Sequence, residues 1–413
     1  MKRLYYLLLF ILTVVGFWAL GVRFSNGMSV TNLTSYFSWG LWVVFYIFFI
    51  GLSAGSFLLS TMIYVFKMHA LEKVGRLSLM SALFALIAGL SFVLIDLGHP
   101  ERFWYTLVHR NMSSVLEWEI HFYLLYIVLV VGELWLVMRD DLSALAESAQ
   151  GFRSKVARWL SLGYRVAKEE EGRRKQKGTS ERWVKILGII GIPLALGVHG
   201  GTGSIFAVSI GMPYWNSSIV PIIFIVSALV SGSALVTFLY AFFGQEEREK
   251  PEILNSLSSM LVLFIGIDFV LVLAEFLVGL YGAIPADTES LKAVIAGQYG
   301  IFFWVGQLGL ATVLPILLIA RSRKGNSARL KGLAGLSTVL GIIAVRVNLV
   351  LPAYVVPKIS GLDKAYVDSR LVYHYAPSAI EILSSLGIIA LAVLLFSIAW
   401  ELLPIIKVSE IKQ

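Results

Sequence analysis

Apolar residues fall into ten long runs along this chain, separated by polar segments. The runs are Leu4 to Leu20, Trp39 to Phe66, Gly75 to Leu97, Leu116 to Met138, Trp183 to Ser209, Ser217 to Phe243, Asn255 to Tyr281, Gln298 to Ala320, Leu330 to Val350 and Ser378 to Leu402. A helix rises about 1.5 Å per residue, so about 20 apolar residues cross the hydrocarbon of a bilayer. The pattern therefore predicts an all-α integral membrane protein with ten transmembrane helices. Several runs exceed the minimum, which predicts tilted spans.

The polar segments are unequal. Arg139 to Lys185 alone holds twelve of the 34 Lys and Arg residues. With the N-terminus in the cytoplasm and the sides alternating, 26 of the 34 fall inside, Lys407 and Lys412 among them. Seven fall outside, including Arg102, Lys358, Lys364 and Arg370, and Arg346 remains within a span. Basic residues stay on the cytoplasmic side, so both termini are predicted to face the cytoplasm from the cell membrane. Removing or adding one span would scramble this bias. The first run follows Met1-Lys2-Arg3 without a clear small-x-small cleavage site before Gly27, and reads as a retained anchor.

The chain divides into residues 1–38, an anchor helix and outer loop; 39–210, a four-helix bundle interrupted by the basic cytoplasmic loop 139–182; 211–351, a second four-helix bundle; and 352–413, an outer loop and closing helix. Each bundle enters from the outside, so the two are expected to be related by an axis along the membrane normal, without residue-level self-similarity. Within the basic loop, Leu145, Phe152, Val156, Trp159 and Leu160 recur at roughly helical spacing, which predicts an interfacial helix over Ser143 to Lys168. Glu169 to Lys177 reads as a solvated turn.

Composition narrows the chemistry. A mean hydropathy of +0.80 with 15% charged residues lies outside the soluble range. The net charge of +8 sits at membrane edges, where anionic headgroups account for it, so membrane lipid and no nucleic acid is the expected partner. Cysteine is absent, which excludes cysteine-ligated iron–sulfur clusters, thiolate catalysis and disulfides within this chain. Redox chemistry would have to use a borrowed group.

Ionisable residues inside spans are costly and mark candidate sites. Here they gather toward the outer face: Asp96, Glu117, Glu119, His121 and His199 in the first set, Asp268 and Glu275 in the second, then Arg346 and Glu381. In one reading Arg346 merely pairs with Glu381 or Glu275 to hold helices together. In the other, a small apolar molecule binds between helices and exchanges protons with carboxylates and imidazoles. A quinone headgroup needs that set, together with aromatic walls such as Trp39, Tyr46, Trp118 and Tyr123.

Several of these residues carry a resemblance. Trp39-Gly40 leading to Gly51-Leu-Ser-Ala-Gly55, Asp96-Leu-Gly-His-Pro-Glu-Arg-Phe-Trp104, and Ser114 with Trp118-Glu119 are similar to the pattern of the NrfD/PsrC family, the membrane subunits of polysulfide-reductase-like complexes. Val198-His199-Gly-Gly, Arg346-Val-Asn-Leu-Val350 and Tyr375-Ala-Pro-Ser-Ala-Ile-Glu381 extend the match. Ten spans place the chain with the longer members, the membrane subunits of quinone-reductase and sulfite-reductase-associated complexes. The resemblance implies a subunit of a quinone-linked oxidoreductase complex, without haem, iron–sulfur cluster or metal of its own, that binds a quinone such as menaquinone near the outer face. It implies a ferredoxin-like iron–sulfur partner there and a molybdopterin or other catalytic subunit beyond, docked on Val22 to Ser38, Gly98 to Val115 and Pro352 to Pro377. His121, Glu119 and His199 are then expected as hydrogen-bond or proton partners of the quinone. Asp96 would orient the loop through Arg102, and Trp39 and Tyr46 would pack on the ring. Asp268, Glu275, Arg346 and Glu381 are expected to line a proton path. The chain departs from the family in having His99 where Arg is commoner, read as solvated, and in lacking a carboxylate over Thr202 to Ile205.

Two rival classes remain open at this stage. A haem b subunit would need paired histidines, and His121 and His199 are the embedded ones. A secondary transporter could place an ion site at a helix broken around Gly197 to Gly203, with Asp268.

Overall fold

Ten helices long and apolar enough to span a membrane follow the ten apolar runs in the computed structural model, which describes residues 2–244, 248–282, 284–357, 361, 368 and 371–405. Lys358, Lys364, Arg370, Lys407 and Lys412 lie outside the described residues. In chain order the helices are α1 (Lys2–Asn26), α2 (Leu41–Tyr64), α3 (Glu72–Asp96), α4 (Tyr105–Val108), α5 (Val115–Ser148), α6 (Gly151–Leu160), α7 (Glu170–Ala207), α8 (Val220–Phe243), α9 (Lys250–Tyr281) and α10 (Pro285–Ile295). A π-helical stretch, Phe302–Val313, runs directly into α11 (Leu314–Arg323), and α12 (Ala328–Val350) and α13 (Ala379–Leu402) complete the chain. No strand occurs among the described residues. The chain is a multi-pass membrane protein. The basic end of the bundle holds the 139–182 connection, and the aromatic end holds the 97–114 and 208–219 connections together with residues 351–357 and 371–378.

In the first set, α2 packs on α3 and α7, and α5 packs on α3 and α7; in the second, α8 packs on α9 and α12, and α12 on the π-helical stretch. The sets join where α2 lies against α8, with α7 and α12 closing in on either side. The terminal helices pack together: α1 lies on α13, and α13 on α3.

The α2–α8 seam is a backbone contact. A side chain on Gly55 would overlap the Ala228 carbonyl, and one on Gly232 would overlap the Gly55 backbone. In lipid, where no hydrophobic force draws helices together, small residues four apart (Gly51 and Gly55, Ala228 and Gly232) allow this approach and the dispersion contact that comes with it. Aligning Gly55 with Gly232 also matches Ser56 with Ser233, so the first helix of each set meets the other through the same short pattern. Nothing in the run of apolar and polar positions marks it.

Three local expectations change. Glu170 to Lys177 belongs to α7 rather than to a solvated turn, and Glu170 and Glu171 occupy its first turn, where acidic side chains complement the helix dipole. The interfacial helix is shorter than Ser143 to Lys168, because α5 continues to Ser148 before α6 starts; α6 buries Ser154 and Ala157 and exposes Phe152 and Trp159. The Gly197 to Gly203 stretch is unbroken helix even though Pro193 lies within α7. Irregular backbone lies instead in the π-helical stretch.

Glu381 fastens the start of α13. Its carboxylate, fully buried, accepts hydrogen bonds from the Tyr375 hydroxyl, from the Ser378 backbone N–H at 2.9 Å and from the Asn32 N–H at 3.0 Å. The Ser378 hydroxyl accepts in return from the Glu381 N–H at 3.2 Å, completing a capping box.

Two stability outcomes are expected. Gly55→Ala should cost about 1–3 kcal/mol by forcing α2 from α8, read as a lower midpoint of thermal unfolding in detergent, whereas Gly21→Ala, with open space around it, should not. Glu381→Ala leaves three donors without an acceptor and should cost at least about 2 kcal/mol, while Glu401→Ala at the exposed end of the same helix should cost far less.

Candidate functional site

Near the aromatic end, three hydroxyls converge on one carboxylate oxygen. Glu119 and Tyr123 lie four residues apart on α5 and share a face; Tyr46 comes from α2 and Thr202 from α7. Glu119 Oε1 accepts from the Tyr46 hydroxyl at 2.8 Å, from the Tyr123 hydroxyl at 2.9 Å and from the Thr202 hydroxyl. The two phenols are 2.7 Å apart. Glu119 is 1% exposed and has no salt bridge among the described residues. The stretch from Thr202 to Ile205 has no carboxylate of its own, and Glu119 brings one to Thr202 from α5.

Aromatic rings close the cluster toward the aromatic end. Trp39 stacks on Trp215 with centroids 5.3 Å apart, and Phe206 meets both edge-on. Trp39, Tyr46 and Phe206 belong to one apolar cluster.

One helical turn deeper on α7 is His199, 1% exposed, with no hydrogen-bond partner on either ring nitrogen. Its ring lies 5.2 Å from Phe224, and the Arg346 guanidinium lies 5.1 Å from the same ring. A side chain on Gly51 would touch both His199 and Arg346 at 3.2–3.3 Å, so glycine there lets the fourth helix of each set meet at the seam. Arg346 donates to the Ser227 hydroxyl at 2.9 Å, and its Nε has no partner. It makes no salt bridge with Glu275 or Glu381. A fully buried guanidinium left this poorly satisfied does little for stability and points to a functional requirement.

The second set contains open volume. A cavity of about 290 Å³ is lined by Asp268, Phe276, Trp304 and Gln307, among others. Asp268 Oδ1 is buried there without a partner. A second cavity, about 70 Å³, holds Glu275, Asp287, Arg346 and Asn348, and shares Phe276 and Gln307 with the first. Glu275 accepts from the Ser217 hydroxyl at 2.9 Å, and Gln307 accepts from the Asn348 amide at 2.9 Å. Burial pushes the Asp287 carboxyl, on α10, above its ordinary range. Acidic groups thus step from Asp268 through Glu275 to Asp287 toward the aromatic end.

The remaining expected site residues lie elsewhere. His121, two residues on from Glu119, points to another side of α5 and sits half-buried, its Nδ1 2.9 Å from the Glu117 carbonyl. Trp118 is exposed and donates to the Met112 carbonyl at 2.9 Å, tying down the preceding loop. Asp96 has a buried Oδ1 without a partner. Its cation is not Arg102, which is exposed beside Glu101, but Arg23 of α1. Arg23, 1% exposed, donates to the Ile95 and Leu97 carbonyls at 3.2 and 2.6 Å and caps α3. Glu381 belongs to the α13 cap and does not approach Arg346. His99 is exposed, 2.9 Å from the Glu101 carboxylate, which its own backbone N–H and His99 hold below the usual range. His121 and His199 occupy separate surroundings, one beside Glu117 and one beside Phe224. No cluster of three metal-ligating side chains occurs among the described residues.

Sequence reasoning missed Thr202, Gly51, Ser227 and Arg23. Thr202 had a usable signal, lying three residues beyond His199 on the same face. Arg23 had none, because its partners are carbonyls 72 and 74 residues away.

Comparison with known proteins shows the family. A family model described as "Polysulphide reductase, NrfD" matches residues 29–358. The protein is 51% identical to the C subunit of selenate reductase from Mesobacillus selenatarsenatis, over 100% of its own length and 97% of that relative. It is 27% identical to the C component of polysulfide reductase from Wolinella succinogenes, over 75% and 92% of the two sequences. It is 20% identical to the menaquinone reductase integral membrane subunit of Nitratidesulfovibrio vulgaris, over 92% and 86%. With the family model covering most of its length and its ten-helix fold in place, the chain belongs to the NrfD family.

Proposed function

We propose that this chain is the quinone-handling membrane subunit of a respiratory reductase complex. It exchanges electrons between the membrane quinone pool and an iron–sulfur partner docked at the aromatic end, which faces outward while the basic end and both termini face the cytoplasm. One observation carries this reading: the buried Glu119 carboxyl, free of any cation, gathers three hydroxyls beneath a stack of aromatic rings. A quinone headgroup offers two carbonyl oxygens and a flat ring. The hydroxyls of Tyr46 and Tyr123 would turn from Glu119 to a carbonyl oxygen, Trp39 would cover the ring, and Glu119 would exchange a proton with the oxygen. His199, deeper and unpartnered, would serve the opposite oxygen. Conversion of quinone to quinol takes two electrons and two protons; the electrons pass to or from the partner, and the protons pass through side chains.

The relatives support the class of complex. Their names attach to selenate, polysulfide and menaquinone reductases, which favours a molybdopterin or similar catalytic subunit acting on inorganic selenium or sulfur compounds. The cavities along Asp268, Glu275 and Arg346 favour a water-filled proton path in the second set, coupling turnover to proton movement. The continuity of α7 through Gly197 to Gly203 weighs against a transporter built on a broken helix.

Three outcomes are expected in the complex isolated from its native membrane with menadiol as donor. Glu119→Gln should lower menadiol-linked turnover by about 100-fold, the usual size of a lost general acid–base group. Tyr46→Phe, which removes one hydrogen bond of about 1 kcal/mol, should lower it about fivefold; full activity in both variants would refute the site. Glu275→Gln should slow turnover or abolish proton uptake by vesicles, and unchanged rate with unchanged uptake would remove it from the path.

A further inference from the structure

The quinone reading leaves one deeply buried acid of the first set unused. Glu133, on α5, has no exposed surface, and neither carboxylate oxygen has a hydrogen-bond partner. It makes no salt bridge among the described residues. A carboxyl that only tied helices together would be paired, because an unpaired one is among the costliest groups to bury. Its surroundings are otherwise apolar, with Val130, Leu129 and Leu134 buried around it on α5.

Position gives this group a context. Glu119, Tyr126, Glu133 and Asp140 follow one another at seven-residue intervals, so they form a single stripe on α5, about 10 Å between steps. Tyr126 is fully buried, and its hydroxyl donates to the Ser53 carbonyl at 3.2 Å and lies 3.3 Å from the Ser53 hydroxyl. Glu133 acts electrostatically on Tyr126 from one side and on Tyr64 of α2 from the other. Tyr64 also feels the charges of Arg76 and Glu72, and its hydroxyl lies against Gly75 of α3. Arg76 in turn binds the Asp141 carboxylate and the Val137 carbonyl, and Asp141 is 40% exposed at the basic end. Asp140 accepts from the Tyr164 hydroxyl at 2.8 Å. Polar groups therefore lead from the exposed basic end, through an unpaired buried carboxyl, to the carboxyl of the proposed quinone site.

We propose that α5 carries protons between the basic end and Glu119, with Glu133 as the exchange group halfway. The proposal rests on the quinone reading and adds a route to it, separate from the acids of the second set. When a quinone takes two electrons from the iron–sulfur partner, one of its two protons leaves the Glu119 carboxyl and the other reaches the opposite oxygen past His199 from the acids of the second set. Glu133 restores that proton by way of Tyr126, and is itself reprotonated from the basic end past Tyr64. Quinol oxidation runs the same transfers backwards, and the protein ends each turnover unchanged. The steps are longer than one hydrogen bond, so water molecules bridge them. Electrons then enter or leave at one end of the bundle and protons at the other, so turnover moves charge across the membrane, the basic end becoming negative when quinone is reduced and positive when menadiol is oxidised.

Two readouts test this. With the complex in vesicles and menadiol as donor, Glu133→Leu should fold as well as the parent, since it replaces an unpaired acid by an apolar side chain, yet turnover and the membrane potential should fall by at least about tenfold. Glu133→Asp should recover a large share of both, and binding of menadione, read by tryptophan quenching, should be unchanged in each. A Leu variant with turnover and potential within twofold of the parent overturns the proposal. Independently of any quinone, infrared titration of the purified chain should show a carboxyl band that exchanges with deuterium and is missing in Glu133→Gln but present in Glu119→Gln. Absence of an exchanging band assignable to Glu133 also overturns it. Failure of the parent to bind menadione would instead count against the quinone site, with the exchange at Glu133 still decided by the infrared band.

Discussion

Contact between two bare stretches of backbone, at Gly55 of α2 and Gly232 of α8, sets the positions of everything else in this protein. In a hydrocarbon solvent, helices associate through close dispersion contact and satisfied polar groups rather than through apolar burial. The glycine seam supplies the first of these. One turn along α2, Gly51 leaves the room into which His199 and Arg346 extend, one from each four-helix set. The most chemically demanding side chains thus meet where the two sets are held most tightly.

Polar groups in the membrane interior are handled by two different means. Some are satisfied and act as fasteners: Glu381 at the α13 cap and Arg23 on the end of α3. Others are left short of partners, namely His199, Arg346, Asp268 and Glu133. Since an unmet hydrogen bond in lipid costs several times what a met one contributes, the second group persists only where something other than stability requires it. Glu119 lies between the two, satisfied entirely by hydroxyls that can turn toward a ligand and back. That division sorts buried acids by their partners more sharply than depth alone does: Glu381 and Glu119 both lie near the aromatic end, yet one is held partly by backbone N–H groups and the other by hydroxyls alone.

Residue types at the candidate site were legible in the sequence, whereas the directions in which they point were legible only in part. Glu119 and Tyr123 are legible from spacing, since positions four apart on α5 share a face, whereas Tyr46 comes from α2 and its approach is not. Nor is His121, because its side follows from which surface of α5 packs on α7, and that surface is set by contacts remote in sequence. Trp118 was a plausible ring partner by depth, yet an indole at the interface serves equally well as an anchor, and here it binds the Met112 carbonyl. Arg102 is the cation nearer to Asp96 in sequence; Arg23 takes its place because α1 folds back across the end of α3.

By itself the sequence determined the number of spans, because hydrocarbon thickness fixes the length of an apolar run. It also determined the family, through short motifs such as Asp96-Leu-Gly-His-Pro-Glu-Arg-Phe-Trp104. Only the tertiary structure decided which buried acids are paired, which helices share the seam, and that the irregular backbone lies in Phe302–Val313 rather than at Gly197 to Gly203. These depend on contacts between residues tens or hundreds of positions apart, and a helical repeat records which face a residue occupies without recording what lies opposite.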